Sequence, residues 1–184
     1  KKVILFSLSF VILKTKIMAN SLFKPFNLVD GVFVNNYVSH KSSFKDFWKW
    51  RRESSKPEPI TFPIIENDPE YLKSNKSKKT ITWVGHSTFL LQIDGINILT
   101  DPHFTKRASP LSFMGPARTT PPGLKIEELP FIDFVLISHN HYDHLDSKTI
   151  QLLLKKQNVN QPTFFVPLKL RDILSKLGAR NVME

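Results

Sequence analysis

From Thr80 onward the chain alternates apolar and polar positions with a period of two, then switches to helical spacing. Residues 81–84, 88–93 and 96–100 carry the alternation expected of strands. Asp94-Gly95, between the second and third, predicts a two-residue hairpin turn, and Pro102 ends the third strand. Residues 131–137 are almost wholly apolar, as a central strand is. Ile150, Leu153 and Leu154 predict a helix that Asp146 or Ser147 can cap. Residues 163–166 read as the next strand. Leu170, Ile173, Leu174 and Leu177 mark a further helix, stopped by Gly178 in the C′ position. Strand, helix, strand, helix, strand predicts a layered α/β architecture. Residues 105–130 are rich in Pro and Gly and predict one long loop, of a length that is usually functional or disordered.

Before Thr80 the periodicity is poor. Lys1 and Lys2 precede an apolar run at 3–13 that is too short to span a bilayer. It reads as a signal-like segment or as sequence upstream of a start at Met18, the second being favoured. Phe44, Phe47, Trp48 and Trp50 lie among basic residues and could form a short amphipathic helix. Packing onto the main domain is the expectation for these aromatics, and lining a lipid-facing entrance is the alternative. Pro57, Pro59 and Pro63 impose extended or turn structure. The lysine-rich stretch at 74–79 reads as a linker. The expected organisation is therefore an apolar and basic segment at 1–19, a lead-in and linker at 20–79, and the main domain at 80–184.

Composition narrows the chemistry. There is no cysteine, so disulfides, thiolate metal sites and a cysteine nucleophile are excluded, and any metal must be held by His, Asp or Glu. The formal net charge of +10 favours anionic partners such as phospholipid surfaces or phosphorylated substrates. No nucleic-acid-binding motif accompanies that charge, and no specific nucleic-acid partner is expected. A peripheral or soluble protein is expected over an integral one.

The chemistry-bearing constellation is His139-Asn140-His141-Tyr142-Asp143-His144, directly after the apolar strand at 131–137. In extended backbone, positions i and i+2 face the same side, so His139 and His141 can approach one metal together. Asp143 and His144 lie where the chain turns toward the helix and can aim at a second position. Imidazole and carboxylate suit zinc, with manganese or iron as alternatives. A satisfied surface histidine cluster is a weak competitor, because the four ligand-type residues sit at the C-terminal end of a buried strand, where α/β sheets build sites. Asp101 either orients a ligand histidine or makes a simple Asp-Pro turn. His86, in Gly85-His86-Ser87-Thr88, either lines the site or is a structural histidine at a strand bend.

These residues and their flanks resemble the metallo-β-lactamase superfamily. Within it they are similar to the branch of N-acyl-phosphatidylethanolamine-hydrolysing phospholipase D and bacterial RomA-like proteins. The stretches that carry the resemblance are 82–88, 99–102, 107–110, 114–116, 128–130, 137–146, 165–167 and 178–182, collinear over about residues 80–184. The resemblance implies the first half of an αββα sandwich and a centre of two zinc ions, with His139 and His141 serving one and Asp143 and His144 the other. Asp143 and His144 are thereby also the candidate catalytic residues. It implies hydrolysis of a phosphodiester in a phospholipid through a metal-bridged hydroxide, with a lactonase or other ester hydrolase as the alternative. The family completes its metals with a further His, a bridging Asp and a last His, and no His follows His144. The resemblance thus implies an N-terminal fragment with little activity by itself, or an inactive remnant. Small-molecule or phospholipid substrates and peripheral membrane contact are the partners it suggests; it says nothing of the oligomer.

Overall fold

A computed structural model of the chain describes residues 27–35, 43–54 and 65–184. The apolar run at 3–13 and the three prolines at 57, 59 and 63 lie outside the described residues. The chain divides into two units, Lys1–Pro57 and Glu58–Glu184.

The first unit holds a two-residue hairpin, β1 (Leu28–Val29) and β2 (Val32–Phe33), turned by Asp30 and Gly31 at positive φ. It also holds helix α1 (Phe44–Glu53). Ser43 and Asp46 form a reciprocal capping box that starts α1, so the helix predicted from its aromatic spacing is closed by its own N-terminal polar residues. None of its residues is buried. Phe44, Phe47, Trp48 and Trp50 remain exposed and contact one another at ring separations of 5.9 to 6.1 Å. Within this unit they form one aromatic face.

The second unit begins well before the linker expected at 74–79. Helix α2 (Pro69–Ser74) is capped by Asp68, carries Pro69 at its first position, and buries Leu72 in the core. Asn75, just past its end, donates to Gln92 Oε1 at 3.1 Å and to the Lys78 carbonyl at 2.9 Å. This stretch is built into the domain, and the division falls near Pro57, because Leu72 and Asn75 contribute a core side chain and a buried hydrogen bond.

One sheet organises this unit. Its six strands lie in sequence order: β3 (Thr80–Gly85), β4 (Thr88–Ile93), β5 (Ile96–Thr100), β6 (Phe134–Leu136), β7 (Thr163–Phe165) and β8 (Val182–Met183). The first two pairings are antiparallel and the last three parallel. Asp94 (φ 51°) and Gly95 (φ 84°) make the hairpin turn, both in the left-handed region that such a two-residue loop needs. Helix α3 (Ser147–Lys156) follows β6, with Asp146 as its N-cap; helix α4 (Arg171–Lys176) follows β7. Gly178 (φ 102°) ends α4: Ala179 N–H donates to the Leu174 carbonyl and Gly178 N–H to Ser175, the paired bonds of a Schellman stop. A 3-10 turn at Ile126–Glu128 interrupts the long loop expected at 105–130, and an isolated bridge joins Arg107 to Ala117.

The strand expected at 131–137 is shorter than its apolar run. The side chain of Gln157 takes both backbone groups of Ile132, at 2.9 Å each, and Asn97 Nδ2 takes the Phe131 carbonyl at 2.7 Å. Side-chain amides thus satisfy backbone groups that a neighbouring strand would otherwise pair.

The two faces of the sheet differ. One register row, Thr82, Leu90, Leu99, Val135, Phe164 and Val182, runs across all six strands and is buried with Ile150, Leu153 and Leu174 from α3 and α4. The alternate row begins at Trp83 and Phe89, and others on that face include Ile81, Ile93, Phe165 and Met183; all are exposed. A sheet apolar on both faces belongs between two layers, and this open face is the kind of surface that a second sheet covers in a sandwich.

Candidate metal centre

The site lies at one end of the sheet. The parallel pair β5 and β6 places the residues after Thr100 beside those after Leu136, and the β3–β4 turn returns to the same edge. Three segments therefore meet there: Gly85–Ser87, Asp101–His103 and Ser138–His144. Thr88 stitches two of them. Its hydroxyl donates to the Asp101 carbonyl at 2.8 Å and accepts from the His103 N–H at 3.1 Å.

Asp101 is the organising group. It is buried and sits at φ 36°, in the left-handed region that Asp tolerates better than most residues. Its Oδ1 accepts from the Ser138 N–H at 2.7 Å, and its Oδ2 accepts from the Ser138 hydroxyl at 2.7 Å and from His144 Nδ1 at 2.9 Å. Ser138 Oγ in turn accepts from His139 Nδ1 at 2.9 Å. Both imidazoles are thereby held through Nδ1, which leaves Nε2 as the lone-pair nitrogen on each. The Asp101 carboxylate contacts one of the motif histidines, His144, directly.

The ligand-type side chains converge beyond this frame. His139 Nε2 stands 3.0 Å from His141 Nδ1, and the rings of His139 and His144 are 4.0 Å apart. His86 Nε2 lies 3.0 Å from Asp143 Oδ2, and His144 Nε2 lies 3.7 Å from the same oxygen. One ligand atom from each of His86, Asp143 and His144 falls within 4.8 Å of the others. Donors to a single ion at about 2.0–2.2 Å stand no more than about 4.4 Å apart, so small side-chain rotations suffice. The donor set fits a zinc-type cation: imidazole nitrogens and a carboxylate brought close together. Asp143 is partly buried, which opposes its ionisation. A bond from its own backbone and the neighbouring His144 and His86 outweigh this, and its carboxyl titrates below the ordinary value.

For His86 the sequence leaves two roles open, lining the site or shaping a strand bend. Its φ is 52°, the Trp83 indole donates to its carbonyl at 2.9 Å, and its ring lies against Asp143. Asn140 and Tyr142 are exposed and outside the cluster.

Sequence reasoning misses three residues at the site. Ser138 stands immediately before the motif, and its position between strand and first histidine suits a bridging hydroxyl. His103 follows Asp101-Pro102 and is 4% exposed. Arg118, from the long loop, donates from Nη1 to the His103 carbonyl at 2.9 Å. Burial lowers the pKa of His103 and Arg118 lowers it further, while Asp146 and the Arg107 backbone oppose the shift. Burial also disfavours the charge on Arg118, with Asp146 again opposing. With Trp83, His86 and Asp143, these two line a cavity of about 740 Å³.

The depressed His103 pKa has a measurable consequence. Between the lowered folded value and the ordinary imidazole value of about 6.5, the unfolded chain binds a proton that the folded chain refuses. Its contribution to stability is complete above the ordinary value and is lost as pH falls through that window. The melting temperature of metal-free protein is expected to fall more steeply below about pH 6.5 than that of His103→Gln. Parallel profiles would show that His103 is not held neutral.

Comparison with known proteins places this geometry in a family. An uncharacterized protein of Mycobacterium tuberculosis is 42% identical over 148 residues, covering 77% of this chain and 39% of that protein. N-acyl-phosphatidylethanolamine-hydrolyzing phospholipase D 1 of Caenorhabditis elegans is 44% identical over 98 residues, 53% of this chain and 27% of that enzyme. The mitochondrial N-acyl-phosphatidylethanolamine-hydrolyzing phospholipase D of Saccharomyces cerevisiae is 35% identical over 103 residues, 56% of this chain and 21% of that enzyme. The chain spans about two-fifths or less of the length of these relatives. The family described as "Beta-lactamase superfamily domain" matches residues 80–173, from β3 into α4 and across the whole histidine segment, and the chain belongs to that superfamily.

Proposed function

We propose that this protein is a metal-dependent hydrolase whose zinc centre is held by His139, His141, Asp143 and His144, and that it cleaves a phosphodiester bond in a phospholipid of the N-acyl-phosphatidylethanolamine type. The observation that carries the reading is the convergence of four imidazoles and one carboxylate, of which His86 and Asp143 also line a cavity with apolar and cationic walls. The names of the worm and yeast relatives support the lipid substrate. The open aromatic face of α1, among Lys45, Lys49, Arg51 and Arg52, suits a peripheral contact with an anionic bilayer.

The metal would supply Lewis acidity at the phosphoryl oxygens and a more acidic water. The chain's own residues do the positioning. Asp101 holds His144 in one tautomer, Ser138 holds His139, and His86 braces Asp143. In the overall reaction water adds at phosphorus and N-acylethanolamine leaves, giving phosphatidic acid.

The test uses intact protein with N-acyl-phosphatidylethanolamine in vesicles, measuring zinc per chain and phosphatidic acid released. Zinc-dependent release is expected, falling by about two to three orders of magnitude in His141→Ala, the scale on which losing one charge-stabilising group lowers turnover. Zinc binding with turnover of a lactone and none of the phospholipid would redirect the substrate to the ester-hydrolase alternative. Absence of bound zinc would overturn the reading altogether.

A further inference from the structure

We propose that His103 and Arg118 form an anion-binding subsite in the cavity beside the histidine cluster, where they hold the phosphate of a substrate that carries one phosphodiester anion flanked by apolar chains. The proposal deepens the function given above and rests on it for the substrate class.

His103 is buried, yet among the described residues neither ring nitrogen has a hydrogen-bond partner. The Arg107 backbone lies near enough to favour the charged ring without closing such a bond. Buried imidazole nitrogens are nearly always paired, and two orphans on one ring call for a ligand. The ring lines the cavity. Arg118 is in the same condition. Its guanidinium has five donors, and among the described residues its one side-chain hydrogen bond goes to the His103 carbonyl. Its Nε is buried without a partner. Among the described residues no carboxylate lies within ion-pair distance of it.

The acid that faces both groups is already spent. Asp146 Oδ1 accepts from the N–H groups of Lys148 and Thr149, and Oδ2 accepts from Thr105 N–H and the Thr149 hydroxyl. It moderates the local potential without touching the guanidinium. A half-buried, unpaired arginine is a costly arrangement, and an oxyanion that accepts from its fork in a bidentate manner relieves it.

Position joins this pair to the cluster. A Cβ built on Gly85 would stand 3.0 Å from Arg118 Nη2, so the guanidinium rests against the backbone just before His86. His86 in turn reaches Asp143. An anion on Arg118 therefore lies next to the ligand cluster, while Ile81, Pro116 and Pro121 offer apolar wall to its chains.

Binding is tested by calorimetry on metal-free protein in chelator, with soluble dihexanoylphosphatidylglycerol as the anionic probe and dihexanoylglycerol as the neutral one. Arg118→Gln and His103→Gln are each expected to weaken the phospholipid about tenfold, the scale of one hydrogen bond to a charged group. Neither should change the affinity for dihexanoylglycerol by more than about twofold. Arg118→Lys should restore part of the loss. His103→Gln keeps the backbone carbonyl that anchors Arg118, so it tests the subsite even if Arg118→Gln does not fold, which circular dichroism reports. Equal phospholipid affinity in folded wild type and variants overturns the subsite, as does no phospholipid binding by the wild type. Zinc titration of the same proteins separates the two readings. Arg118-dependent phospholipid binding without zinc binding leaves the subsite standing and the metal-centre reading fallen, and the converse overturns the subsite alone.

Discussion

Asp101→Ala should lower zinc affinity by about 10- to 100-fold, the usual cost of losing the group that orients a ligand histidine. The expectation follows from three bonds that converge on one carboxylate: Ser138 N–H, Ser138 Oγ and His144 Nδ1. Without it, His144 is free to adopt the other tautomer, and Ser138 loses the acceptor that leaves its oxygen available to His139. Alanine also sits poorly at φ 36°, which adds roughly 1–2 kcal/mol of backbone strain. Asp101→Asn isolates the electronic part. It tolerates the same backbone and keeps the Ser138 N–H bond, but its amide cannot accept from Ser138 Oγ and His144 together. Competition with a chromophoric chelator gives the zinc affinity, and thermal melts give stability. Asp101→Asn should lose zinc affinity while melting near the wild type, whereas Asp101→Ala should lose both. Unchanged zinc affinity in both variants would make Asp101 a structural turn residue and nothing more.

Phe164→Ala should destabilise the second unit by about 3–5 kcal/mol, the range for truncating a fully buried aromatic. Phe164 is 0% exposed, in the row that crosses the sheet, with Val135 and Val182 as its register neighbours. For a domain whose total stability is about 5–15 kcal/mol, that loss brings unfolding within reach of ordinary temperatures. Phe165→Ala is the contrast. The ring one residue away points to the open face, is 38% exposed and touches Phe134 at 5.7 Å. Its removal should cost about 1 kcal/mol or less. Urea titration measures both, and a shifted midpoint at constant slope identifies a change in stability rather than in compactness. Similar costs for the two variants would mean that the open face is covered in solution.

Much of the fold was legible along the chain because its information is local. Asp94-Gly95 requires a tight hairpin, since both residues must take positive φ. Gly178 ends α4 for the same reason, and Asp146 caps α3 through its own side chain. Period-two alternation placed β3, β4 and β5 with their bounds nearly as found. The shortened β6 was not legible, because Gln157 and Asn97, distant in sequence, supply its missing pairings. The domain limit escaped sequence reasoning for a similar reason. A lysine-rich stretch looks like a linker until Leu72 and Asn75 are seen engaging the core and Gln92.

The candidate site divides in the same way. By itself the sequence determined that four side chains of metal-ligating type fall within six positions after a buried strand, since spacing and residue type are enough for that. It also carried the family, in a segment that needs no structure to be matched. Only the tertiary structure decided which second histidine atoms are tied back, that His86 joins Asp143, and that His103 and Arg118 share the cavity beside them. Those relations span the β3–β4 turn, the end of β5 and a loop residue, and they arise only when antiparallel and parallel pairings bring three chain segments to one edge of the sheet. Sequence patterning reports which face a residue takes; which partner it meets there is set by the register between strands.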